Sequence, residues 1–270
     1  MTIAATSSDF PADAGAQSGA PPVWSARHAD TVTGVLSCAV EQSPDKVFLD
    51  FAGDKYTYSR VWELSLRRAA GLSRLGVGPG QTMVCMLDNN VDAVVSWFAA
   101  SFLGAVWVPV NTALKGEYLR HQIGDAAAAV VLAESDYAQR ILDIAHELPD
   151  LEHLVVRGTV PHSPAVRVTS LDTNTPDGAL AEPVAVAPRD LAMLIYTSGT
   201  TGPSKGCMIS HNYICNVARN TAAMRNPEFG TVDTVAVVSS ERRGHFGAGD
   251  CSEPGHGVRG RTILVVELLA

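Results

Sequence analysis

The sequence predicts an α/β fold with largely parallel sheets flanked by helices. Short apolar runs alternate with segments of helical periodicity between Met83 and Val156. Such an alternation is typical of right-handed strand–helix–strand crossovers, which build a parallel sheet with helices packed on it. The chain has 270 residues, of which 46% are hydrophobic, so it holds enough apolar side chains for a sizeable buried core.

The first part of the chain combines a polar leader, one helix and a hairpin. Residues 1–28 are rich in Ala, Ser, Gly, Asp and Pro, and we interpret them as a disordered leader. Apolar residues at helical spacing follow Thr31, a possible N-cap, and predict a helix that ends before Ser43. Residues 47–51 and 55–58 have the composition of two short strands joined by a turn, which predicts a hairpin.

A longer helix is predicted next, from Ser59 as its cap to Leu75. Apolar residues give it one buried side. Its arginines suit a solvated side opposite: Arg67, Arg68 and Arg74. We therefore expect all three guanidinium groups in water.

Alternating strands and helices follow as far as residue 156. Strands are predicted at residues 83–87, 105–110, 127–133 and 154–156, and helices from Asn89 to Gly104 and at residues 116–125 and 136–147. The continuous apolar character of the strands indicates a sheet that is covered on both faces. Residues 158–190, rich in Pro, Thr and Asp, are predicted to be a linker to a further apolar strand, 191–195.

Composition narrows the class of protein. The net charge is −8 and no block of basic residues occurs, which argues against nucleic acid as a partner. The five scattered cysteines lack Cys-x-x-Cys spacing, which indicates reduced thiols in a cytoplasmic protein. No secretory signal and no apolar stretch long enough for a spanning helix are evident, while peripheral membrane contact stays open.

The most informative stretch of the sequence is residues 196–206, Tyr-Thr-Ser-Gly-Thr-Thr-Gly-Pro-Ser-Lys-Gly. Glycines let a backbone approach a ligand closely, and unblocked N–H groups form a concavity that binds anions. Hydroxyl groups add donors, and a lysine adds a point charge for phosphate. The stretch therefore predicts a phosphate-binding loop with these residues: Thr197, Ser198, Gly199, Thr200, Thr201, Gly202 and Lys205.

Other motifs are excluded by spacing. The loop lacks the Gly-x-x-x-x-Gly-Lys-Ser/Thr order of a Walker A loop, and it is not the Gly-x-Ser-x-Gly elbow of serine hydrolases. The glycines of residues 76–80 precede a strand, whereas the dinucleotide-binding fingerprint follows one. His146 and Glu147 lack the second histidine of a zinc motif, so no residues are proposed as metal ligands. We interpret His211, after the loop, as a capping or surface residue.

The loop resembles the signature loop of the adenylate-forming, or AMP-binding, superfamily, which contains acyl-CoA synthetases, luciferases and the adenylation domains of peptide synthetases. Pro203 and Ser204 invert the usual order before the lysine. Residues 56–58 and 103–111 resemble two further elements of that superfamily, although they contain no catalytic group. Asn111 and the following segment to Leu119 are similar to the fatty-acid and carnitine/crotonobetaine CoA ligase branch.

The resemblance implies an ATP-dependent ligase that joins a carboxylic acid to CoA through an acyl-adenylate. It implies ATP and Mg²⁺ at the loop, CoA as co-substrate, and a small carboxylic acid of fatty-acyl type. The six residues from Thr197 to Gly202 would surround the β- and γ-phosphates. Lys205, the implied catalytic residue, would stabilise pyrophosphate as it leaves.

The resemblance covers residues 29–238, which we take as the N-terminal and incomplete part of an AMP-binding domain. Residues 239–270 are rich in glycine at first and lack apolar periodicity. Our hypothesis is that a frameshift or premature stop produced this aberrant tail. The other two reading frames downstream decide it, because the absence of Tyr-Gly-x-Thr-Glu codons there would contradict it.

Three functions stay open from the sequence. The first is the acyl-CoA ligase, present as an N-terminal fragment that we expect to be inactive alone. The second is a non-catalytic remnant that binds a nucleotide. The third, disfavoured by Asn111 and the segment after it, is an adenylation domain that loads a carrier protein.

Overall fold

The secondary structure follows the predicted alternation of strands and helices. The computed structural model describes residues 30–51, 53–175, 180–197, 203–223, 235–236 and 264–265. The α-helices are α1 (Val32–Gln42), α2 (Tyr58–Ser73), α3 (Val91–Phe102), α4 (Gly116–Asp125), α5 (Ser135–Leu142) and α6 (His211–Ala223), with a 3₁₀ turn at Ala145–Glu147. The strands are β1 (Val47–Phe51), β2 (Asp54–Thr57), β3 (Thr82–Met86), β4 (Val106–Pro109), β5 (Val130–Glu134), β6 (His153–Arg157), β7 (Arg167–Ser170), β8 (Leu191–Thr197), β9 (Lys205–Ser210), β10 (Val235–Ala236) and β11 (Leu264–Val265).

The main sheet has seven strands in the spatial order β7-β6-β5-β3-β4-β8-β9. All neighbours are parallel except β8 and β9, which are antiparallel. β1 and β2 form the predicted hairpin, and β10 pairs with β11 in a separate antiparallel ladder. The predicted α/β class with a largely parallel sheet is therefore confirmed.

The hydrophobic core lies on both faces of the sheet. Met83 and Cys85 of β3 pack into one cluster with α1, α2 and α3, whereas Val84 and Met86 pack into a second cluster with α4 and α5. Successive side chains of a strand point to opposite faces, so a strand covered on both sides must be apolar throughout. This explains the continuous apolar runs in the sequence.

One of the two predicted helix caps is confirmed and the other is wrong. Thr31 caps α1, because its hydroxyl accepts from the Gly34 N–H at 3.1 Å, as predicted. The predicted cap of α2, Ser59, is wrong. The Thr57 hydroxyl accepts from the Arg60 N–H at 3.2 Å, because β2 runs straight into the helix at that residue.

The predicted linker of residues 158–190 contains a strand. Arg167–Ser170 forms β7, which pairs in parallel with β6 and extends the sheet by one strand. The helix predicted at residues 136–147 is also shorter, since α5 ends at Leu142 and only a 3₁₀ turn follows. Both differences lie at one edge of the sheet.

Arg68 corrects the expectation that α2 places its three arginines in water. Arg68 is only 6% exposed. The guanidinium donates to Asp92 at 2.8 Å, to the Ser96 hydroxyl at 2.8 Å and to the Thr175 hydroxyl at 3.0 Å. A buried charge needs such partners, and these come from α3 and from the segment after β7.

Two predicted regions lie mostly or wholly outside the described residues. These are the leader, residues 1–28, and the tail, residues 239–270, of which only the β11 residues are described. Within the described part of the chain, no helix combines the length and the apolar character needed to cross a membrane.

Candidate phosphate-binding site

The predicted loop connects the antiparallel strands β8 and β9. β8 is parallel to β4, so the loop leaves the sheet at the carboxyl edge of the parallel strands. In open α/β sheets, ligands bind outside this edge. Five predicted site residues lie outside the described residues: Ser198, Gly199, Thr200, Thr201 and Gly202.

The structure brings the two remaining site residues together. Thr197, the last residue of β8, is the ladder partner of Lys205, the first residue of β9. Both side chains are exposed. No hydrogen bond or ion pair joins the Lys205 ammonium group to any described residue. An exposed hydroxyl and an exposed cation at the mouth of the loop fit a phosphate ligand.

Ser204, the residue before Lys205 at one end of the loop, is hydrogen-bonded to helix α4. The His121 Nε2 atom lies 2.8 Å from the carbonyl oxygen of Ser204, a distance at which the ring N–H donates to the carbonyl. The adjacent Gln122 side chain donates from Nε2 to the Ser204 hydroxyl at 3.1 Å. Ser204 therefore has both its carbonyl and its side chain bonded to the same helix.

Tyr196, at the other end of the loop on β8, contacts the same helix. The Tyr196 hydroxyl donates to Oδ2 of Asp125 at 2.7 Å. Burial, together with this bond, raises the pKa of the Tyr196 phenol, so the hydroxyl remains a donor at neutral pH. A Cβ at Gly206 would lie 3.3 Å from Cζ of Tyr196, so the glycine leaves room for the ring.

Sequence reasoning missed the contribution of α4. The polar residues that reach the hairpin, His121, Gln122 and Asp125, lie within one turn of the helix, while Leu119 and Ile123 are buried in the core. A polar face opposite an apolar face was visible in the sequence. Its partner was not visible, because Ser204 is 83 residues away from His121.

A strand that was not predicted follows the loop, and His211 differs from its interpretation. The segment after the loop forms β9 before α6 begins at His211. His211 is 1% exposed, so its interpretation as a surface residue is wrong. Its Nδ1 accepts from the Val32 N–H of α1 at 3.4 Å, while its Nε2 has no partner in the described part of the chain. Burial lowers the pKa of His211, against the opposing effect of nearby Asp190.

The residues 103–111, singled out in the sequence, form a packing element. β4 lies inside the main sheet, and Trp107 and Val108 are buried. The side chain of Asn111 accepts from the Ala113 N–H at 2.8 Å and so shapes the turn toward α4. Among the described residues, no group of three or more His, Cys, Asp or Glu side chains could hold a metal ion.

Comparison with known proteins identifies the family. The family model described as "AMP-binding enzyme" matches residues 36–240. The chain belongs to this family. The match begins within α1 and includes the whole seven-stranded sheet and the predicted phosphate loop.

The relatives of this AMP-binding chain include ligases and peptide synthetases. It is 31% identical over 158 residues to 3-hydroxybenzoate–CoA ligase of Aromatoleum sp. (strain CIB), covering 58% of this chain and 30% of the relative. It is 30% identical over 191 residues to tyrocidine synthase 3 of Brevibacillus parabrevis, covering 71% of this chain and 3% of the relative.

A solved structure agrees with the fold. The anthranilate CoA ligase AuaEII, in complex with anthranoyl-AMP, is similar with a TM-score of 0.63 and 26% identity, covering 70% of this chain and 36% of that one. The chain therefore spans about a third, or less, of the length of these proteins. Together, the family match and this neighbour confirm the resemblance and the α/β fold stated from the sequence.

Proposed function

We propose that this chain is the phosphate-binding part of an ATP-dependent carboxylic acid–CoA ligase that acts through an acyl-adenylate. The observation that carries the proposal is the exposed pair of Thr197 and Lys205, which flanks a loop of hydroxyls and glycines in a member of the AMP-binding family. The residues Thr197, Ser198, Gly199, Thr200, Thr201 and Gly202 bind the β- and γ-phosphates of ATP. Mg²⁺, when bound, neutralises phosphate charge.

Lys205 is the proposed catalytic residue. Formation of an acyl-adenylate requires a carboxylate to attack the α-phosphate while pyrophosphate leaves, so negative charge accumulates on the leaving group. The ammonium of Lys205, held opposite Thr197, stabilises that charge. The acid is proposed to be of fatty-acyl type, in keeping with the segment from Asn111 to Leu119. The first relative, by its name, acts on an aromatic acid, so aromatic acids belong in the test.

The test is pyrophosphate exchange and MgATP binding by the 270-residue chain, with CoA and a panel of fatty and aromatic acids. Lys205→Met removes the charge and is expected to weaken MgATP binding about ten- to a hundredfold, the range of a charge-assisted hydrogen bond. Lys55→Met is the matched control, because Lys55 is an exposed lysine on the distant hairpin strand β2. Equal binding by wild type and Lys205→Met would contradict the assignment of the loop.

The alternative that we propose is a nucleotide-binding protein without ligase activity. Its support is that the described bonds at the two ends of the loop join residues 121–125 to Tyr196 and Ser204, so they involve no acid-binding or CoA-binding residue. MgATP binding without exchange supports this remnant, exchange with release of a CoA thioester supports the ligase, and exchange without the thioester supports an adenylation domain for a carrier protein. Reading the two other frames downstream of residue 238 tests the proposed frameshift.

We also propose a cytoplasmic location. The support is that none of the cysteines in the described residues, Cys38, Cys85, Cys207 and Cys215, forms a disulfide. Cell fractionation tests it, and recovery with the membrane fraction would argue instead for peripheral membrane contact.

A further inference from the structure

Helix α4 contacts both ends of the proposed phosphate loop through three polar side chains. His121 and Gln122 bond to Ser204 on the Lys205 side, and Asp125 accepts from Tyr196 on the Thr197 side. These contacts join α4 to residues that are more than 70 positions away in sequence. They concern the two residues next to the proposed phosphate ligands, rather than the ligands themselves.

We propose that His121 and Gln122 are positioning residues, which place Lys205 for phosphate binding by fixing the peptide bond before it. The inference rests on the proposed function of the loop as a phosphate site. His121 and Gln122 contact Ser204 and not the phosphate itself, so they affect phosphate affinity only by positioning Ser204 and Lys205.

The geometry explains how a helix can fix a lysine that it does not touch. The carbonyl of Ser204 and the N–H of Lys205 belong to one planar peptide group, so a bond to the carbonyl sets the orientation of that plane. The second bond, from Gln122 to the Ser204 hydroxyl, prevents rotation about the first. Two bonds from neighbouring residues of one helix therefore define where the Lys205 side chain begins.

The helix itself is a firm support. Leu119 and Ile123 are fully buried in the core cluster beneath the sheet, on the side of α4 opposite Ser204. Arg120, the charged residue between these positions, forms ion pairs with Glu117 and Glu147. The bonds to Ser204 come instead from His121 and Gln122. A shift of α4 would need to disrupt this buried face, which is why bonds to it restrain the loop.

The binding experiment compares His121→Leu and His121→Gln in the full chain, with MgATP as the probe. His121→Leu is expected to raise the Kd for MgATP about three- to tenfold, the effect of one lost hydrogen bond. His121→Gln retains an N–H donor at the end of the side chain and is expected to restore binding to within about twofold of wild type. Gln122→Met is expected to weaken binding in the same way, whereas Gln139→Met, which removes a surface glutamine bond to Asp143 on α5, leaves it unchanged.

A double-mutant cycle separates positioning from general support of the fold. In a Lys205→Met background, His121→Leu is expected to change the Kd by less than about twofold, because the group that it places is gone. A change of the same size in both backgrounds would overturn the inference. Equal Kd values for His121→Leu and the wild type would overturn it as well.

Hydrogen exchange of the ligand-free chain distinguishes failure of this inference from failure of the proposed function. His121→Leu is expected to speed amide exchange in a peptide covering residues 203–210 by about threefold or more, while exchange in β3 stays at the wild-type rate. If the wild type binds no MgATP, the proposed function fails, and this exchange alone decides the positioning role. Unchanged exchange over residues 203–210 would then reject it.

Discussion

Replacement of Arg68 by Met is expected to destabilise the fold more than replacement of its neighbour Arg67. Arg68 crosses from α2 to α3 and to the segment after β7, with bonds to Asp92, Ser96 and Thr175. Met has a similar length but no donor, so the substitution keeps much of the packing and removes all three bonds. The ionised Asp92 side chain, 25% exposed, then loses one of its two cations.

The size of the effect follows from what remains around Asp92. Removing one partner of a buried ion pair costs about 3–5 kcal/mol, because the other charge is left without compensation. Arg157 still donates to Asp92 at 2.7 Å, so we expect the lower end, about 3 kcal/mol. For a chain of this size, that lowers Tm by about 6–12 °C.

Thermal and urea unfolding followed by circular dichroism provide the measurement. Arg67→Met is the matched control, because Arg67 lies next in sequence and pairs with Glu63 at a side chain that is 30% exposed. A surface pair of this kind contributes about 1 kcal/mol or less. An Arg68→Met variant that is no less stable than Arg67→Met would refute the reasoning from burial.

Two further predictions concern a helical glycine and a buried histidine. Gly71→Ala is expected to destabilise the fold by about 1–3 kcal/mol or more in urea unfolding, because its Cβ would lie 1.7 Å from the carbonyl oxygen of Asn174. The control is Gly124→Ala, whose Cβ meets only Leu148 at 3.5 Å, and this variant should match or exceed wild-type stability. Equal losses of stability in the two variants would contradict this prediction. Since burial lowers the pKa of His211, the unfolded chain binds more protons, so stability should fall as the pH drops below about 6.5. The His211→Gln variant should show a smaller slope between pH 5 and 7, and identical slopes would argue against a neutral, buried His211.

The elements that the sequence predicted well are those decided by local interactions. Thr31 caps a helix through a bond to a residue three positions away, so a short window of sequence contains both partners. Asn90 does the same for α3. The strands of the sheet interior were equally clear, since a strand with two buried faces is apolar throughout.

The errors arose where the deciding partner is remote in sequence. Arg68 follows a helical pattern that does not distinguish it from Arg67, and its partners Ser96 and Thr175 lie 28 and 107 residues away. His211 was expected near the surface, but its partner is Val32, 179 residues earlier. β9 was missed because its side chains, such as the exposed Met208, do not alternate in a simple way.

In the candidate site, the proposed ligands could be predicted from the sequence, whereas the contacts from α4 that hold the loop could not. Composition and spacing predict which residues bind phosphate, because glycines, hydroxyls and a lysine have that chemistry in any fold, and this assignment stays a prediction. The support of the site could not be predicted, since it depends on how α4 packs under the sheet. Only the structure places His121 and Gln122 against Ser204.

The position of these supports bears on the choice between ligase and remnant. The described bonds at the two ends of the loop join residues 121–125 to residues 196 and 204. All of these residues lie within the region that the family model matches. These bonds involve no acid-binding or CoA-binding residue, so the proposed ligase and the proposed remnant would share them. It follows that MgATP affinity and pyrophosphate exchange report on separate properties. A loss of affinity in His121→Leu, with exchange absent in every variant, would be the result expected of a remnant that still uses α4 to place Lys205.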